Sequence, residues 1–296
     1  MTAAAAVVAV FGAAGTAQAV TFDAIQIFGD SFSDTGAGFP LTDGGTAASY
    51  LAEFFDNPAV LPDEPMPGRS SINFAESGAR VGIENTPTSP TSLTNQVANY
   101  VSLVTSGVAS FDPASTLFFL SGGLNDRGEP AENVTASYRE QVAELVELGA
   151  RYIQIAILPR EVPAFTATSD NLNPAYRELV PELDAFYGDV SITLSNWGMY
   201  FDDIINDPDT YGFTNVTDAC LSGFGPGATV CDSPETYFYY FSAHPSDSAH
   251  RIVGQRLYAD ILGLDPVVAP VPLPAAGLLL LAGMGGFGVL RLRRRG

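Results

Sequence analysis

The sequence predicts an α/β fold with a parallel sheet covered by helices on both faces, and three observations carry that expectation. Short apolar strand-like runs alternate with longer helical patterns along the chain. Three polar positions, Ser31, Gly78 and Asn125, each fall just past the end of such a run, on the rim where open parallel sheets bind ligands. About 240 of the 296 residues lie between two apolar termini, enough for one α/β domain with a sizeable core.

In chain order, the first strand is Ala24-Ile25-Gln26-Ile27-Phe28, closed by Gly29-Asp30-Ser31. A helical pattern follows at 46–55, then a strand at 71–74 and a helix at 93–104. The apolar run 116–120 is the third strand and 134–148 the helix after it. Strands at 152–158 and 190–194 flank a helix at 174–187, whose start is read from Pro174. The last helix covers 248–257 and follows His244-Pro245-Ser246.

The polar positions at the strand ends suit nucleophilic catalysis. Ser31 sits where a buried strand turns sharply after a glycine, a position that pushes a hydroxyl into a cleft. A serine nucleophile needs a base of near-neutral pKa and donors for the oxyanion of the tetrahedral intermediate. His244 and His250 are the only histidines of the chain. The backbone N–H groups of Ser31 and Gly78 and the side-chain amide of Asn125 are the candidate donors, since glycine admits an oxygen close to the main chain and asparagine donates without acting as a base.

Four blocks in order carry a resemblance. They are Gly29-Asp30-Ser31, Asn73-Phe74-Ala75-Glu76-Ser77-Gly78-Ala79, Gly122-Gly123-Leu124-Asn125-Asp126 and His244-Pro245-Ser246. Together they resemble the GDSL/SGNH hydrolases, and the stretch from Tyr211 to Tyr237 is similar to their secreted lipase, lecithinase and hemolysin subgroup. The resemblance spans about residues 22–262. It implies a three-layer, flavodoxin-like SGNH fold over residues 20–266 and a serine esterase or lipase acting through an acyl-enzyme. It assigns Ser31 as nucleophile, His244 as base, and Ser31, Gly78 and Asn125 as the oxyanion hole. The implied substrate is an ester of a lipid or an acylated carbohydrate; acyl transfer to a lipid or sugar hydroxyl is an alternative.

The chain departs from that pattern at one position. The family usually carries Asp three residues before the catalytic histidine, where this chain has Phe241. Two repairs stay open: a backbone carbonyl near Phe241 or Ser242 behind His244, or the literal Asp-x-x-His of Asp247 and His250 as the working pair. A weakened hydrolase with a surface role is the third reading, because losing the orienting carboxylate can lower the rate by about four orders of magnitude.

Composition bounds the setting. The 33 acidic side chains oppose 13 arginines, four of them in the last six positions, and there is no lysine. Such a surface disfavours nucleic acid and anionic lipid and fits a saline medium. Residues 1–19 end in Ala17-Gln18-Ala19 and read as a signal peptide. Cys220 and Cys231 are the only cysteines, and export makes them a local disulfide that braces the segment leading to His244. They form no zinc site, and no motif implies a cofactor.

The tail 267–296 has an apolar stretch, with 275–290 able to anchor transiently in the inner membrane, followed by a basic stop. It resembles the VPLPA/PEP-CTERM sorting tails of Gram-negative bacteria, which implies a sorting protease or transpeptidase as partner and the cell surface as destination. The loop 57–69 is read as a substrate rim or a surface excursion, and the aromatic run 237–241 as an acyl pocket or strand packing.

Overall fold

The computed structural model describes residues 21–36, 41–64, 70–82, 91–223 and 227–264. Its main sheet consists of β1 (Ala24–Gly29), β2 (Ile72–Asn73), β3 (Thr116–Ser121), β4 (Tyr152–Ala156) and β5 (Ser191–Ser195). All neighbours are parallel, in the order β2-β1-β3-β4-β5. Every residue of β1 and β3 is buried, as expected of central strands covered on both faces, whereas β5 alternates as a sheet edge does.

Helices α1 (Ala47–Phe54), α5 (Trp197–Asn206) and α7 (Asp247–Leu262) pack together as one layer, and α2 (Leu93–Thr105), α3 (Ala131–Leu148) and α4 (Thr166–Phe186) as the other. The result is the three-layer α/β architecture the sequence predicts. A short α6 (Pro208–Tyr211) leads from α5 into a second sheet, β7-β6-β8-β9, made of β6 (Asn215–Ser222), β7 (Thr229–Val230), β8 (Tyr237–Phe241) and β9 (His244–Pro245).

Three elements differ from expectation. Helix α4 begins at Thr166 rather than Pro174, which lies inside it. The bond that Pro174 cannot donate is to the carbonyl of Asp170, an exposed residue whose oxygen water can serve. Helix α5 was not expected, although Trp197, Tyr200, Phe201 and Ile204 form its buried face at helical spacing. The second sheet was not expected either, and the aromatic run 237–241 is its strand β8, with Phe238 and Tyr239 buried.

The end of β1 is held tightly. Gly29 is in register with Ser121, and a side-chain carbon at Gly29 would stand 2.5 Å from Ser121 Oγ. Only glycine fits there. Strand β2 covers just two residues, so Gln96 of α2 pairs with the main chain beyond it: Gly29 N–H donates to Oε1 at 2.9 Å, and Nε2 donates to Gly29 O at 2.9 Å. The loop after α1 serves the same edge, Val60 forming a parallel bridge with Ile72.

The expected signal peptide and sorting tail lie outside the described residues. Among the described residues no helix is long and apolar enough to cross a membrane.

Candidate active site

Ser31 follows β1 and is 8% exposed, in a turn closed by Ser33 N–H and Asp34 N–H donating to Asp30 O at 2.9 and 3.0 Å. Asn73, at the end of β2, pins this turn through Nδ2, which donates to Ser33 O at 2.7 Å and Thr35 Oγ1 at 2.9 Å. Below it, Ser33 Oγ and Ser121 Oγ are 2.6 Å apart, tying the turn to β3.

His244 comes from the second sheet. Strands β8 and β9 meet at the pair Phe241 and His244, so Ser242 and Ala243 form a two-residue reversal. Ser242 takes φ +52, the left-handed conformation that tight hairpin turns require. The reversal puts His244 Nε2 2.9 Å from Ser31 Oγ and Nδ1 3.2 Å from Phe241 O. A carbonyl can only accept, so it fixes the proton on Nδ1 and leaves the Nε2 lone pair facing the serine hydroxyl. Ser246 secures the segment from the other side: it caps α7, and its hydroxyl donates to Tyr237 O at 2.7 Å.

Burial pushes the His244 imidazole down to about 4; the Phe241 carbonyl opposes that shift and the Arg127 charge adds to it. The ring is therefore neutral at ordinary pH. Phe32 supports it from beneath, with centroids 5.5 Å apart, and itself packs against Phe165, Trp197 and Phe201.

The three expected donors stand at the rim. Gly78 is exposed at φ +89, and neither its N–H nor that of Ser31 donates to another described residue. Asn125 Nδ2 donates to Ala79 O at 3.0 Å, which ties the amide to the residue after Gly78 and leaves its second N–H for a ligand.

The Asp247/His250 alternative is not assembled. His250 is 1% exposed, and its Nδ1 accepts from Ala47 N–H at 3.1 Å, capping α1 from inside the core. Asp247 is engaged elsewhere, accepting from Gly45 N–H at 3.0 Å and from the Tyr50 hydroxyl. Cys220 and Cys231 are joined in a disulfide across the β6–β7 hairpin.

Two residues support the site in ways that the sequence pattern does not announce. Gln96 acts across 67 positions. Asp30 is fully buried, its Oδ1 accepting from Phe32 N–H at 3.1 Å while Oδ2 has no hydrogen-bond partner among the described residues. Burial, with Asp126 nearby, pushes its carboxyl up to about 7. Among the described residues no group of His, Cys, Asp or Glu converges on a metal position.

Fold and site together define a class: a three-layer α/β protein with a Ser–His pair at the carboxyl rim of its parallel sheet. Within that class, the chain belongs to the GDSL-like Lipase/Acylhydrolase family, whose model matches residues 25–257. It is 26% identical to the thermolabile hemolysin of Vibrio parahaemolyticus over 79% of this chain and 62% of that protein. It is 24% identical to acetylajmalan esterase 2 of Rauvolfia serpentina, over 86% of this chain and 96% of that one. The chain thus spans less than two thirds of the hemolysin's length. Among solved structures, an acetylxylan esterase from Geobacillus stearothermophilus matches 84% of this chain and 99% of its own at 15% identity, with a TM-score of 0.46.

Proposed function

We propose that this chain is a serine carboxylic ester hydrolase working through an acyl-enzyme on Ser31. The observation that carries the reading is the 2.9 Å approach of His244 Nε2 to Ser31 Oγ, with the Phe241 carbonyl behind the ring. Ser31 Oγ attacks the ester carbonyl carbon while its proton passes to Nε2. The oxyanion lies among the N–H groups of Ser31, Gly78 and Asn125, each worth about 100- to 1000-fold in rate. Collapse expels the alcohol, which takes the proton from His244, and water then attacks the acyl-enzyme by the same route.

Assay of wild type and Ser31→Ala on short-chain para-nitrophenyl esters tests this. The variant loses about three orders of magnitude or more; equal rates would exclude catalysis by this serine. A slow hydrolase is the second reading, favoured by the weakly basic His244 and by the lack of any carboxylate at its ring among the described residues.

The disulfide supports export to an oxidising compartment. With it goes the reading of residues 1–19 as a signal peptide, 20–266 as the hydrolase domain and 267–296 as a sorting tail that directs the protein to the cell surface. Lipid and acylated carbohydrate esters are the substrate classes that follow, with acyl transfer as the variant reaction.

A further inference from the structure

Cations are scarce in this chain, so the use made of each is informative. Arg80, Arg139, Arg160, Arg251 and Arg256 each reach a carboxylate. Arg127, like Arg151 and Arg177, does not: it is exposed and has no carboxylate partner among the described residues. It stands two positions beyond Asn125, and its guanidinium lies over the Phe165 ring, 5.2 Å from the centroid. Phe165 packs on Phe32 at 5.5 Å, and Phe32 packs on His244 at 5.5 Å. The arginine is thus set on the same aromatic stack that supports the imidazole, close enough for its charge to act on that ring.

Contact with the ring face engages the guanidinium through its charge and not through its N–H donors, whose fork suits carboxylate or phosphate oxygens. Arg127 also borders a cleft of about 440 Å³ whose wall includes the small, exposed Ala164 and Ala167 and the polar Thr168 and Asn171. Glu129 lines the same cleft, but its carboxylate is already committed to Arg80 and Asn133, each at 2.7 Å. The cleft therefore offers a substrate one uncompensated positive group.

We infer that Arg127 determines specificity by receiving an anionic oxygen group, carboxylate or phosphate, that the ester substrate carries away from the scissile bond. The inference rests on the ester-hydrolase reading above.

Two probe pairs test it: mono-para-nitrophenyl adipate against para-nitrophenyl heptanoate, with charge on the acyl side, and para-acetoxybenzoate against phenyl acetate, with charge on the alcohol side. In at least one pair, the ratio of kcat/KM for the charged over the uncharged ester falls about tenfold or more in Arg127→Gln, falls further in Arg127→Glu, and is partly kept in Arg127→Lys. Ratios unchanged by Arg127→Gln in both pairs would overturn the inference. Calorimetric binding of the same esters to Ser31→Ala reads the charge preference without turnover. A failure of the hydrolase reading, seen as undiminished rates in Ser31→Ala, is thereby kept apart from a failure of this one.

Discussion

The carbonyl oxygen of Phe241 stands 3.2 Å from Nδ1 of His244, three residues further on, so main chain rather than a carboxylate lies behind the ring. A carbonyl orients the imidazole and selects its tautomer, but it lends no full negative charge to the imidazolium. Burial, with the Arg127 charge adding to it, therefore leaves His244 at about 4, the carbonyl offsetting the shift only in part.

The pH profile follows from this. His244 works as a base only when neutral, so kcat/KM holds down to mildly acidic pH and falls as pH drops through about 4. Phe241→Asp places a carboxylate in the position its family usually fills, raises the imidazole pKa, and moves the acid limb upward by about one unit or more. Rates measured from pH 3 to 8 on an uncharged ester, beside a thermal melt of each protein, check this; an unmoved limb in a folded variant refutes it.

Asp30 gives a prediction about stability. Its carboxyl is raised to about 7 in the fold against 3.8 in the free chain, so between those values the folded protein holds a proton the unfolded chain has released. The favourable contribution is complete below pH 3.8 and is lost as pH rises through about 7. Asp30→Asn cannot ionise, so its Tm relative to wild type rises from pH 4 to pH 8. A difference independent of pH would show that Asp30 is charged throughout.

Gln96→Leu removes both side-chain bonds to Gly29 and leaves the Gly29 N–H buried without its acceptor. The cost is about 1–3 kcal/mol, read as a lower urea midpoint at unchanged slope. Because Ser31 lies two residues on, kcat falls as well. A variant as stable and as active as wild type would remove Gln96 from the support of the site.

The disulfide closes a sequence separation of 11 residues, so its loss costs at most about 3 kcal/mol. Cys220 adjoins Leu221, the residue in register with Phe241. Cys220→Ser/Cys231→Ser therefore lowers kcat several-fold at temperatures where the protein stays folded. Lost stability with unaltered turnover would confine the bridge to a structural role.

The five strands and four of the helices of the main layers are legible because their apolar runs are long or strongly periodic, as in 24–28 and 134–148. The start of α4 is not, because Pro174 signals a helix beginning as readily as it tolerates an exposed turn inside one. Strands β7 and β9 span two residues each and hold no pattern to read. The order of the motif blocks points to the residues found side by side at the rim. What stands behind His244 is not legible, since a backbone acceptor has no residue type to announce it. Gln96 is hidden for a related reason: its partners are main-chain atoms 67 positions away.

The reversal at Ser242 has a consequence for how this site tolerates change. Any residue at position 241 brings the same oxygen, so exchanging side chains there leaves the acceptor in place, and an alanine scan would pass over it. Only a substitution that tips Ser242 out of its φ +52 geometry withdraws it. The third partner of the pair is thus encoded in the shape of a turn, free to drift in letters while the bend endures.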